Sequence, residues 1–120
     1  MTAVLTATGT HRARLGFWAL AACVVVLSLL PGHALPQVAF SLWDKAQHAL
    51  AFTALATVGL HAYPRYAPRV LVGLLVLGGG IELAQAATGW RHGEWADGLA
   101  DAVGLALGTL LAMATRRLFG

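Results

Sequence analysis

The sequence predicts an all-α protein, a single-domain four-helix transmembrane bundle with both termini in the cytoplasm. Three observations support this prediction: the composition, four apolar stretches of helix length, and an uneven distribution of charge. Of the 120 residues, 58% are hydrophobic and only 11% are charged, and the mean hydropathy is +0.71. Because a soluble domain carries roughly a quarter of charged residues, this chain has too few of them to coat a water-exposed surface.

The apolar stretches define the predicted helices. They cover about residues 15–30, 46–61, 70–87 and 98–114, and each is close to the roughly 20 residues that a spanning helix needs. Helix is favoured over strand because lipid cannot satisfy the open edge of a sheet. The membrane domain is therefore predicted at 15–117, after an N-terminal segment at 1–14 that is expected to be loose over its first ten residues, and before a short tail at 118–120.

The charges predict the orientation. Six arginines and no acid lie in the N-terminal segment, the second loop and the C-terminal tail: Arg12, Arg14, Arg65, Arg69, Arg116 and Arg117. Lys45, Arg91 and all five acids lie in or beside the first and third loops. Since Lys and Arg accumulate on the cytoplasmic side, the termini are predicted inside and these two loops outside, in a multi-pass membrane protein.

The first apolar stretch has an alternative interpretation. Arg12 and Arg14 precede a run of 16 apolar residues, and Gly32, His33 and Ala34 follow it, which is also the pattern of a secretory signal peptide. An uncleaved anchor is favoured, and the sequence leaves cleavage open.

Several functional classes lack their sequence signatures. The bases are scattered in pairs without a basic stripe, so no nucleic-acid partner is predicted. There is no HExxH motif, nucleophile elbow or P-loop, and Cys23 is the only cysteine. No cofactor and no metal is predicted, and the protein is more readily interpreted as a binding protein than as an enzyme.

Polar residues that interrupt the apolar pattern form the candidate site. Asp44 and His48 share a helix face at spacing i,i+4, as do Asp97 and Asp101, and Glu82 and Gln85 do so at i,i+3. On the predicted topology all of these approach the outer leaflet from three different helices. Polar groups within spans normally face the bundle interior and pair. The predicted polar cluster comprises Asp44, Lys45, His48, Glu82, Gln85, Arg91, Asp97 and Asp101.

Each of these residues also has a purely structural interpretation. Asp44 and Asp97 would then be interfacial charges or helix caps, and Lys45 would extend its amine to the interface. Glu82 and Gln85 would form interhelical hydrogen bonds, and His48 would be a hydrogen-bonded core residue. Convergence at one depth favours the site, because unrelated interfacial residues need not meet.

Glycines predict close helix packing. Gly104 and Gly108 form a small-xxx-small seam on the predicted fourth helix, where another helix can approach closely. Used between chains, such a seam would make a homo-oligomer; used within one bundle, it would not. Gly78, Gly79 and Gly80 are interpreted either as a contact point for the fourth helix or as a flexible joint.

Taken together, these motifs resemble the VanZ-like family of small bacterial membrane proteins. The resemblance rests on Asp44-Lys45-x-x-His48, Glu82-x-x-Gln85 and Arg91-x5-Asp97-x3-Asp101-x2-Gly104-x3-Gly108, over roughly residues 15–117. One departure is Asp101, where the family often has Asn. The resemblance implies a multi-pass protein of the bacterial plasma membrane with a role in the cell envelope, and a link to glycopeptide susceptibility through the founding member.

Two hypotheses for function follow. In the first, an outward-facing polar pocket binds a lipid-linked cell-wall precursor or another membrane protein, with Lys45, His48 and Arg91 meeting an anionic headgroup. In the second, His48 with Asp44, Glu82 or Asp101 performs acid–base or metal chemistry on a lipid-linked substrate. The lipid bilayer itself is a partner in both.

Overall fold

The chain forms four long α-helices. The computed structural model describes residues 2–29, 37–89 and 95–119, with side chains for 9–29, 45–89 and 96–117. The helices are α1 (Thr2–Leu29), α2 (Gln37–Ala62), α3 (Ala67–Thr88) and α4 (Trp95–Phe119), and a 3-10 turn (Pro64–Tyr66) joins α2 to α3. The prediction of an all-α chain with four helices is confirmed.

Every helix is longer than its apolar stretch. Helix α1 begins at Thr2, so residues 2–10 are helical rather than loose, and the helix start does not coincide with the predicted boundary at residue 14. The hydropathy of the sequence identifies only the apolar part of a helix. The helix itself continues as long as its backbone hydrogen bonding does. Pro68 lies within α3, in the first turn, where the missing N–H would have no intrahelical acceptor.

Contacts between the helices show an up-down-up-down arrangement. Arg14 of α1 contacts Ala62 at the end of α2, and Phe17, three residues later on α1, lies against Gly59, three residues earlier on α2. These two helices are therefore antiparallel. In contrast, α2 and α4 run in the same direction, because the contacts Lys45–Asp97, His48–Asp101 and His61–Thr115 advance together along both helices. The bundle thus has two different ends. The arginine-rich end contains Arg14 and Arg116, and the acid-holding end contains Asp97 and Asp101.

Helix α2 lies at the centre and packs against all three other helices. Its Phe52, Leu55 and Ala56 are almost completely buried, and Phe17 of α1 and Ile81 of α3 belong to the same core. This helix contributes the largest share of the core because it has neighbours on most of its circumference.

The distribution of polarity is the reverse of that in a soluble protein. Among the described side chains, the buried polar or charged ones are His48, Gln85, Asp97 and Asp101. Large apolar residues are exposed along α1, α3 and α4, including Val26, Val76, Leu83 and Leu110. Exposed apolar surface of this extent is expected against lipid, whereas ionisable groups in spans face the bundle interior.

Within the described residues, three helical segments are long and apolar enough to cross a membrane: Gly9–Leu29, Pro64–Thr88 and Ala96–Arg117. The part of α2 whose side chains are described, residues 45–62, is not among them. It carries Lys45 and His48 and is the most enclosed of the four, so it needs less lipid-facing surface than its neighbours. These findings describe a multi-pass membrane protein.

Candidate functional site

The seam between α2 and α4 positions most of the candidate residues. A Cβ atom placed on Gly104 would lie 2.5 Å from the Ala49 carbonyl oxygen, and one placed on Gly108 would lie 2.5 Å from the Ala56 Cβ atom. The backbones therefore approach so closely that only glycine fits at these two positions. The seam lies within one bundle, and it sets the register in which polar residues of α2 and α4 meet.

At the acid-holding end of this seam, His48 of α2 and Asp101 of α4 form a direct contact. Nδ1 of His48 lies 2.8 Å from Oδ1 of Asp101, and both side chains are buried. This separation is a hydrogen-bond distance between an imidazole nitrogen and a carboxyl oxygen. The His48 ring also stacks on the ring of Phe52 one turn further along α2. The two contacts together hold the imidazole in one orientation.

Gly78 of α3 completes the surroundings of Asp101. A Cβ atom placed there would lie 2.5 Å from Oδ2 of Asp101 and 3.4 Å from Cζ of Phe52. The other two glycines of this run, Gly79 and Gly80, face open space. Gly78 is therefore the contact point with α4 that the glycine run suggested. Oδ2 of Asp101 has no hydrogen-bond partner among the described residues.

Lys45 and Asp97 form a second link between α2 and α4, one turn closer to the helix starts. Nζ of Lys45 lies 3.8 Å from Oδ1 of Asp97, which is an ion pair without hydrogen-bond geometry. The Lys45 side chain is 28% exposed, whereas that of Asp97 is 2% exposed. Asp97 lies in the first turn of α4, where the helix dipole stabilises a negative charge. The Lys45 amine is thus partly accessible, whereas the Asp97 carboxylate is buried.

Gln85 of α3 links to α1 rather than to α2 or α4. Its Nε2 donates a hydrogen bond of 2.8 Å to the Ser28 carbonyl oxygen, which lies near the end of α1. Its side chain is completely buried, and Oε1 accepts no hydrogen bond within the described part of the chain. Glu82, one turn earlier, is half-buried with its Oε2 atom enclosed.

The structure thus brings together Lys45, His48, Asp97 and Asp101 in two direct pairs, and it places Glu82 and Gln85 on the neighbouring helix near the same end. Asp44 belongs to α2, but its side chain lies outside the described residues, and so does all of Arg91. Among the described side chains, no three His, Cys, Asp or Glu residues converge to hold a metal ion. The described pairs provide imidazole–carboxylate and amine–carboxylate chemistry.

At the opposite end, arginines do more than mark orientation. Nε of Arg14 donates to the Ala62 carbonyl oxygen at 3.0 Å, and Arg116 donates to the carbonyl oxygen of Leu60. Both acceptors lie in the last turn of α2, whose carbonyls lack intrahelical donors. His61 also contacts Thr115 at 2.7 Å. The charge pattern did not reveal these capping roles, which depend on which helices are neighbours.

What the cluster can do chemically follows from its burial and its polarity. Within the bundle, the Asp101 carboxyl group orients the imidazole of His48. Nearer the helix starts, the amine of Lys45 is partly exposed. Comparison of the chain with protein-family models, with curated proteins and with solved structures found no match.

Proposed function

We propose that this chain is a VanZ-like protein of the bacterial cell envelope that binds an anionic, lipid-linked ligand at the acid-holding end of its bundle. In this proposal all four helices cross the plasma membrane, both termini are cytoplasmic, and the cluster opens towards the outer leaflet. The ligand class is a cell-wall precursor, whose phosphate groups lie at the level of the membrane surface. A changed response to glycopeptide antibiotics would be one consequence.

The observation that carries the proposal is the asymmetry of the Lys45–Asp97 pair. The carboxylates of Asp97 and Asp101 are buried, whereas the Lys45 amine belongs to a side chain that is 28% exposed. Among the described ionic side chains of these two pairs, the cation is therefore the one that a ligand can reach. The buried acids orient the base and the imidazole, and they do not themselves repel an incoming phosphate at contact distance. Arg91, three residues after Thr88 at the end of α3, would add a second cation.

Binding of a polyprenyl diphosphate to the purified full chain in nanodiscs tests this proposal. Lys45→Gln removes the accessible charge, and we expect binding to weaken by about five-fold, the factor for one basic residue at a membrane surface. Arg117→Gln, at the opposite end of the bundle, is the matched control and should bind like the wild type. If both variants bind equally well, the site is not at the acid-holding end.

The His48–Asp101 pair favours a second candidate function, hydrolysis of the same class of substrate. A carboxylate that accepts the Nδ1 proton orients the imidazole, so that Nε2 would take a proton from water as a general base. The oxygen of the attacking water would bond to the terminal phosphorus as the bridging P–O bond breaks, so that inorganic phosphate and polyprenyl phosphate are released and the proton of the water passes to Nε2. Burial of both residues makes this the second candidate, since water must enter the bundle to react.

Phosphate release from the same polyprenyl diphosphate distinguishes the two functions. If His48 is a general base, Asp101→Asn should slow release by about 10²–10⁴-fold, because an amide does not stabilise the protonated imidazole. The amide oxygen still accepts the Nδ1 hydrogen bond, so the variant should remain folded. Binding without any phosphate release by the wild type would rule out the hydrolytic function and leave the binding function intact.

A further inference from the structure

A long groove lies between α1 and α3, away from the polar cluster. Its volume is about 910 Å³, and its walls are almost entirely apolar. Phe17 and Val26 mark its two ends on α1, and on the opposite wall they are marked by Tyr66 of the 3-10 turn and Leu77 of α3. The twelve residues from Tyr66 to Leu77 are separated by eleven steps of helical rise, about 16 Å, which is about half of the ~30 Å hydrocarbon thickness. The groove therefore has the depth of one membrane leaflet.

The groove opens on the surface of the bundle. Trp18, Val26 and Val76 line it and are each more than half exposed. Gly73 lies in its wall, and a Cβ atom there would meet no other atom within 4 Å. The groove is therefore open on the apolar outer surface of the bundle, which is the surface that faces lipid. Gly73 has no side chain that would narrow the groove from the α3 side.

The end of the groove beside the turn between α2 and α3 carries an arginine. The Arg69 guanidinium lies 5.3 Å from the centre of the Tyr66 ring, and both residues line the groove. Nε1 of Trp18 donates to the Tyr63 hydroxyl at 2.9 Å, and this fixes the two aromatic side chains beside it. The nearby sequence, from Pro64 to Val70, contains two arginines and no acid. Arg69 therefore has no carboxylate close to it in sequence, and its charge suits an anionic group.

We infer that this groove binds one anionic phospholipid, with an acyl chain between α1 and α3 and the headgroup phosphate at Arg69. The depth of one leaflet and the single charged end match the two parts of such a lipid. A second copy of the chain fits less well, because two parallel copies would bring their arginine-rich ends together and repel each other. The site is separate from the polar cluster and does not depend on the function proposed for it.

Native mass spectrometry of the full chain tests this inference. The protein would be exchanged into micelles that contain equal amounts of phosphatidylglycerol and phosphatidylcholine, and retained lipids would be counted. We expect the wild type to retain one phosphatidylglycerol in preference. Gly73→Leu should fill the groove and abolish retention of this lipid, whereas Arg69→Gln should lower the preference for phosphatidylglycerol by about five-fold.

Gly79→Leu is the matched control, because Gly79 lies on the same helix, also faces open space and does not line the groove. It should retain lipid like the wild type. Unchanged retention in Gly73→Leu would overturn the inference, as would an unchanged lipid preference in Arg69→Gln. A wild-type dimer that carries no lipid and becomes a monomer in Gly73→Leu would also overturn it, since a second copy would then occupy the groove.

Discussion

Asp101 shows how a single acid is accommodated inside an apolar bundle. One oxygen is hydrogen-bonded to Nδ1 of His48, and the other lies against Gly78, where the absence of a side chain leaves room for it. Burial of an ionisable group is costly unless it is paired and hydrogen-bonded. The His48–Asp101–Gly78 arrangement therefore depends on three helices, and a change in any of the three residues should disturb it.

Gly78→Ala tests this arrangement directly. The added methyl group would lie 2.5 Å from Oδ2 of Asp101, so the carboxylate would have to move away from His48. We expect a loss of about 1–3 kcal/mol in the free energy of unfolding, typical of overpacking, measured by SDS titration in detergent micelles. Gly79→Ala is the control and should be neutral or slightly stabilising, because that position is open and alanine favours helix. Equal effects of the two substitutions would show that Asp101 is not confined by α3.

At the scale of elements, the parallel pair of α2 and α4 is the principal packing unit. Thr57 donates within its own helix to the Thr53 carbonyl oxygen and lies 3.3 Å from the Gly108 carbonyl oxygen of α4. Such contacts need backbones in close approach, which the glycine seam of α4 permits. Since apolar side chains gain little by leaving lipid, close van der Waals packing and interhelical hydrogen bonds stabilise this pair.

Gly104→Ala should therefore separate α2 from α4. The nearest atom to the new methyl group is the backbone carbonyl oxygen of Ala49 at 2.5 Å, which cannot rotate away as a side chain can. We expect a loss of about 1–3 kcal/mol in the free energy of unfolding in micelles. Gly98→Ala on the same helix meets nothing within 4 Å and is the matched control. A result in which Gly104→Ala is as stable as Gly98→Ala would contradict the close packing of the seam.

At the scale of the whole molecule, the two ends of the bundle differ in charge. The arginine-rich end holds Arg14 and Arg116, which cap α2, and the other end holds Asp97 and Asp101. An up-down-up-down bundle with this polarity would insert with the arginines on the cytoplasmic side. The same polarity separates the proposed ligand site from the proposed lipid groove, which lie towards opposite membrane surfaces.

Reporter fusions in bacteria test this orientation. With the arginine-rich end inside, alkaline phosphatase fused after Arg117 should be inactive, and a fluorescent protein fused there should fluoresce. Fusion after Gly89, which follows the third helix, should give the opposite pattern. Active phosphatase after Arg117 would place the arginine-rich end outside and would invert the positions proposed for both sites.

The sequence by itself determined the helical class, the number of helices and the approximate location of each, because lipid permits few alternatives to helix and proline and polar residues interrupt the apolar stretches. It also identified Gly104 and Gly108, since their spacing of four places both on one face. The helix limits were predicted too short, as at α1, because hydropathy records the lipid-facing part and not the continuity of hydrogen bonding.

Only the tertiary structure decided which residues pair. Asp101 meets His48 and Gly78, Lys45 meets Asp97, and Gln85 turns to the end of α1 instead of joining them. Spacing along one helix places residues on a common face, but it does not specify which helix that face meets. The pairing depends on the order of helices around α2 and on the register that the glycine seam permits, and both are properties of the assembled bundle.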